Sequence, residues 1–80
     1  MDVRVAVGTR IAYYRNIRRM SQNKLAEVAR VDRSYISDIE NGKRRVTIDL
    51  LQRLAKALDI PMNILFEPEL FENPPSYKEW

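Results

Sequence analysis

Between Ser21 and Gly42 the chain has room for two short helices and almost no loop. Ser21 is a good N-cap, and "SQNKLAEVA" offers Leu25, Ala26 and Ala29 as a small apolar face. Asp32, a second capping residue, stands three positions past that face and opens another helix over about residues 33–41. Gly42 occupies the place where a helix ends in a left-handed residue. A chain so divided must bury two small faces against other helices, because neither stretch is long enough to be stable alone.

The flanking segments supply those partners. Val3, Val7, Ile11, Tyr14 and Ile17 recur at three- and four-residue spacing, which predicts a helix from about Val5. Val3, Val5 and Val7 also alternate, so a short strand at the extreme end stays open. Thr47 caps "IDLLQRLAKAL", where Ile48, Leu51, Leu54, Ala55 and Leu58 make the clearest apolar stripe, and Asp49 suits the positive end of the helix dipole. Asp59 and Pro61 break that helix, and Pro61 opens a short fifth one, "PMNILF". The tail "EPELFENPPSYKEW" has three of the four prolines and no period, so it reads as extended, docked by Leu70, Phe71, Tyr77 and Trp80. The expectation is an all-α, compact five-helix bundle containing a helix-turn-helix, with a short extended C-terminal tail. Residues 1–66 form the domain and residues 67–80 the tail.

Composition narrows the chemistry. The 80 residues make one domain, and 45% hydrophobic content is enough for a single core. No cysteine and no histidine are present, which removes thiolate chemistry, the commonest general base and the commonest zinc ligand. Ser21, Ser34 and Ser37 lack a base, and two glycines in all cannot build a phosphate loop. The expectation is a non-enzyme with no cofactor and no metal. No apolar run spans a membrane, and "MDVRVAVGTR" lacks the apolar block of a secretory signal, so a cytoplasmic protein is expected. Residues 1–45 hold 11 Lys/Arg against 5 acids, and residues 46–80 hold 3 against 6. That asymmetry suggests a polyanion partner for the first half alone.

The helix over 33–41 shows where such a partner would lie. On a wheel at about 100° per residue, Ile36 and Ile39 point one way, while Ser34, Ser37, Asp38 and Asn41 point the other and Arg33 flanks the leading end. Solvated faces usually carry long Lys and Glu, the better helix formers, and this face has neither. Short hydrogen-bonding side chains behind an arginine suit a helix that approaches the edges of bases in a DNA major groove. Glu40 lies about 40° from Ile36, toward the core. A buried carboxylate needs a partner, and Arg15, four residues on from Ile11, is placed to supply a bidentate pair.

"GTRIAYYR", "MSQNKLAEVARVDRSYISDIENGKR" and "TIDLLQRLAKALDIPMNILF" resemble the lambda-repressor/Cro-like, or XRE-like, helix-turn-helix family. The resemblance runs from about Gly8 to Phe66. Small phage-type repressors and the controller proteins of restriction–modification operons are similar in size. It implies a sequence-specific DNA-binding transcription regulator of prokaryotic or phage origin that binds a pseudo-palindromic operator as a homodimer. It implies that Gln22 bonds a phosphate and braces the third helix, that Arg33, Ser34 and Asp38 face base edges, and that Ser37, Asn41 and Lys43 lie along the backbone. The outer-face position of Ser37 also makes it a candidate base reader. Asp38, awkward beside phosphates, either accepts from cytosine N4 or orients Arg33 or Arg45. Two departures stand out: Arg19 and Arg30 occupy sites where the family often has glycine, and a non-glycine residue at positive φ is strained. Tyr14 replaces the usual leucine.

Lys43, Arg44 and Arg45 follow Gly42 directly, where charge would position the protein on the DNA backbone without specifying sequence. The backbone candidates are therefore Gln22, Lys24, Asn41, Lys43, Arg44 and Arg45, with Arg30 and Arg10 as additions. Met62, Ile64, Leu65 and Phe66 are the expected dimer surface, with recognition helices ~34 Å apart. The competing function is a protein-interaction module, such as an antitoxin, whose tail "LFENPPSYKEW" binds a partner protein.

Overall fold

The computed structural model describes residues 2–66, without the Phe66 side chain, so the expected tail and its docking residues lie outside the described residues. Four α-helices follow one another: α1 (Val3–Ile17), α2 (Gln22–Ala29), α3 (Arg33–Glu40) and α4 (Ile48–Leu58). The expected fifth helix is a 3-10 turn, Met62–Phe66, and no strand occurs among the described residues. The alternation at Val3, Val5 and Val7 is part of α1, which starts two residues earlier than its periodicity suggests because Asp2 caps it. The Asp2 carboxylate accepts from the Arg4 backbone N–H, and the Arg4 side chain and N–H hold it below its ordinary titration range.

The core is one cluster in which Ile11, Leu25, Ile36, Ile39, Leu54, Leu58 and Leu65 are fully buried. α3 lies between α1 and α2, and α4 closes the other side of α2. The stripes overhang this core at their ends. Val3, Ile17 and Ile48, expected inside, are half or more exposed, since each lies at a helix terminus beyond the packed neighbours. Gly8 marks a close crossing of α1 and α3: a Cβ there would overlap the Ile39 carbonyl oxygen.

All four helices end by the same device. A left-handed residue turns the chain, its N–H bonds the carbonyl three residues back, and the next N–H bonds the carbonyl five back, which is a Schellman motif. The left-handed residues are Arg19 (φ 57°), Arg30 (φ 63°), Gly42 (φ 72°) and Asp59 (φ 57°). The paired bonds are Arg19 to Asn16 and Met20 to Arg15, Arg30 to Glu27 and Val31 to Ala26, Gly42 to Ile39 and Lys43 to Asp38, and Asp59 to Lys56 and Ile60 to Ala55. After three of these turns an apolar residue, Met20, Val31 or Ile60, packs back on the core. Such caps stop each helix abruptly, which lets α2 and α3 meet with only Arg30, Val31 and Asp32 between them.

Candidate nucleic-acid interface

α3 begins at Arg33. Asp32 stands at its N-cap position with extended backbone, but its carboxylate makes no capping bond, in contrast to Ser21 and Thr47, whose hydroxyls accept from Lys24 and Leu50. The helix buries Ile36 and Ile39 completely and leaves Arg33 and Ser34 exposed, with Ser37 and Asp38 partly so. Asn41, Lys43, Arg44 and Arg45 continue outward from its end and are all exposed. Arg33, Lys43 and Arg45 have no side-chain hydrogen bond or ion pair among the described residues, so their charges face outward uncompensated. Along one side of the molecule runs a ridge of small polar groups with cations at both ends.

The underside is pinned by a charged network. Arg15 Nε donates to Glu40 Oε2 at 2.7 Å and Arg15 Nη2 to Oε1 at 3.1 Å. Gln22 Nε2 donates to the same Oε1 at 3.0 Å. The remaining Arg15 nitrogen, Nη1, reaches the Met20 carbonyl at 2.7 Å, across the turn formed by left-handed Arg19. The side chains are only 14% and 6% exposed. One carboxylate thus ties α1, the start of α2 and the end of α3 together, in the bidentate geometry that gives an ion pair direction as well as strength. Gln22 is engaged on its inner side, and Lys24 pairs loosely with Glu27 at 3.4 Å, an exposed contact easily given up.

Three expectations are corrected. Arg10 is 1% exposed, buried on the inner side of α1, and so takes no part in an external cationic surface. Asp38 holds neither Arg33 nor Arg45; Arg44 Nε donates to its Oδ2 at 3.3 Å, and the Arg44 guanidinium lies 4.5 Å above the Tyr35 ring. Gly42 reverses the chain after α3, and that reversal brings residue 44 back over residues 35 and 38. Leu65 is fully buried, because the 3-10 turn folds it under α1 and α4 to close the core; it belongs to the monomer and not to a dimer surface. Met62 and Ile64 are partly exposed beside it. Tyr14 is partly buried against the core and meets Tyr13 edge-on at 5.0 Å.

Residues 11–65 match the helix-turn-helix family. The chain belongs to that family. Its XRE-like character is carried by relatives with which it aligns over most of its length. It is 41% identical over 59 residues to control protein C.SmaI of Serratia marcescens, covering 74% of this chain and 70% of that one. Among solved structures it resembles the restriction–modification controller protein C.AhdI of Aeromonas hydrophila, with 38% identity, a TM-score of 0.77 and coverage of 79% and 96%. It also resembles the controller protein C.Esp1396I, solved as a tetramer in complex with its natural 35 base-pair operator, with 32% identity, a TM-score of 0.75 and coverage of 82% and 87%.

In this helix-turn-helix protein two arginines that sequence reasoning counted only as charge prove to be internal clamps. Arg53 on α4 donates to the Ala29 carbonyl at 3.2 and 3.0 Å and to the Arg30 carbonyl at 2.8 Å. Arg18 at the end of α1 donates to the Leu58 and Asp59 carbonyls at 2.8 and 2.9 Å. Together with Arg15 at Met20, each non-glycine left-handed turn has an arginine holding carbonyls at or beside it. No side-chain pattern marks a backbone acceptor, so the sequence carried no signal for these contacts. Neither a candidate metal-binding cluster nor a helix long and apolar enough to cross a membrane occurs among the described residues.

Proposed function

We propose that this chain is a sequence-specific DNA-binding transcription regulator that places α3 in the major groove and acts as a two-fold dimer on a pseudo-palindromic operator. The observation that carries this reading is the two-sidedness of α3. Its outer ridge, Arg33, Ser34, Ser37 and Asp38, is available for base edges, while Ile36, Ile39 and Glu40 anchor its inner side. A groove about 12 Å wide admits a helix whose outer side chains are this short. Gln22, Lys24, Asn41, Lys43, Arg44 and Arg45 surround the ridge and contact phosphates, setting register without reading sequence. Residues 1–66 carry this binding unit, and a second copy docks over Met62 and Ile64 beside the buried Leu65, while the Phe66 side chain expected there lies outside the described residues. The relative solved as a multimer on operator DNA supports the reading. Like its relatives named as control proteins, the chain regulates and does not catalyse, and it works in the cytoplasm of a prokaryotic cell. The antitoxin-like role falls on residues 67–80, outside the described residues, and no observation favours it.

Selection of bound duplexes from a random pool tests the proposal. The expected result is a two-fold symmetric motif whose half-site centres lie about one helical turn, ~34 Å, apart. A bound pool with no enriched sequence would overturn it.

A further inference from the structure

Asp38 is an acid on a surface offered to a polyanion, and the structure gives it one occupation. It holds Arg44, at 3.3 Å, while Arg44 stacks 4.5 Å above Tyr35. The two side chains are 40% and 51% exposed, so the pair is solvated, weak and exchangeable. Arg44 differs in this from Arg33, Lys43 and Arg45, none of which is held by an acid among the described residues. Of these four cations, Arg44 is thus the one kept occupied by a ridge residue.

Resting on the groove-reading proposal, we infer that Asp38 is a specificity-determining residue that acts through Arg44: its carboxylate competes with DNA phosphate for the guanidinium. On a duplex of arbitrary sequence, binding comes from cations meeting phosphates, and a sequestered Arg44 contributes little to it. When α3 is seated on its own site, Asp38 meets a hydrogen-bond donor such as cytosine N4–H₂. The carboxylate is then engaged, and Arg44 is released to the backbone. The full cationic grip is therefore delivered at the correct sequence and withheld elsewhere. Tyr35 keeps Arg44 close to the ridge in the meantime, so the transfer needs only a rotation of the side chain.

The test compares wild type, Asp38→Asn, Arg44→Ala and the double variant by fluorescence anisotropy, each on a selected duplex and on a scrambled duplex over a range of salt. Circular dichroism verifies the fold of each protein. Asp38→Asn is expected to tighten scrambled-duplex binding about three- to fivefold at low salt, the release of one exposed ion pair, and to steepen its salt slope by about one phosphate's worth, ~0.9. Binding to the selected duplex should gain far less, so the specificity ratio falls. In the Arg44→Ala background the same replacement should change scrambled-duplex binding by less than about twofold, an effect of a bare charge being small at a screened surface. Equal tightening in both backgrounds would show simple repulsion and overturn the inference, as would an unchanged scrambled-duplex affinity. Wild type with no preference between the duplexes would instead overturn the groove-reading proposal itself.

Discussion

Replacing Gly8 by alanine sets two physical effects against each other with opposite signs. In an isolated helix the change is favourable by ~1 kcal/mol, because glycine carries the larger backbone entropy cost. In this fold the added Cβ would overlap the Ile39 carbonyl oxygen and stand 3.1 and 3.2 Å from the Ile39 and Glu40 carbonyl carbons. All three obstacles are backbone, so no rotamer change relieves them. α1 must back away from α3, and a gap approaching ~1 Å forfeits a quarter to a half of the dispersion energy across it. That seam holds Ile11, Ile36 and Ile39, all fully buried, and the Arg15–Glu40 pair. Overpacking costs ~1–3 kcal/mol, with a collision between backbones at or beyond the upper end. Subtracting the propensity gain leaves a loss of ~2 kcal/mol, which at ~4–8 °C per kcal/mol lowers Tm by roughly 8–16 °C. Thermal unfolding followed by far-ultraviolet circular dichroism, at matched concentrations so that dimerisation does not shift the midpoint, measures it. A Tm equal to or above wild type would refute the close crossing of α1 and α3.

Glu40→Ala leaves Arg15 with one of its three hydrogen bonds and a poorly solvated charge, so a loss of ~2–3 kcal/mol and a Tm fall of about 10 °C or more are expected by the same assay. Arg30→Gly removes left-handed strain of ~1–2 kcal/mol while adding glycine's entropy cost of ~0.5–1 kcal/mol, and it leaves the Arg53 clamp on backbone oxygens intact; Tm should rise by a few degrees, and a fall would show that the arginine is not strained. Arg44→Ala should weaken binding to the selected duplex and flatten its salt slope by about one unit while changing scrambled-duplex binding little, whereas Arg33→Ala should relax sequence preference with little change in slope, both read by anisotropy titrations.

What was legible in the sequence came from local rules. Ser21 and Thr47 announce helix starts because a capping hydroxyl needs only a donor three residues on. Glu40 announces a partner because the wheel puts a carboxylate on the apolar side, and Arg15 is the residue of the first helix at the matching depth. Arg19 and Arg30 draw notice as replacements for glycine, and both do adopt positive φ. The failures share a different cause. Leu65 is indistinguishable from Met62 and Ile64 in a short apolar run, since a 3-10 turn has no long period to reveal which side faces inward. Val3, Ile17 and Ile48 fit their stripes perfectly well and are nonetheless exposed, because where a helix outruns its neighbours is a tertiary fact. Arg10 is buried by its place on α1 next to Ile11, at a position that charge counting scores as surface. The arginine clamps at residues 18 and 53 end on carbonyls, which every residue has and no sequence pattern marks.

The base-reading role of α3 is open to a direct chemical measurement on a selected duplex. Methylation of guanine N7 projects into the major groove and methylation of adenine N3 into the minor groove. If α3 sits in the major groove with Arg33 at its leading end, N7 methylation should block binding in two patches one helical turn apart, N3 methylation between them should not, and Arg33→Ala should lose the block at one guanine in each half-site. Interference confined to the minor groove, or an N7 pattern unchanged by Arg33→Ala, would contradict it.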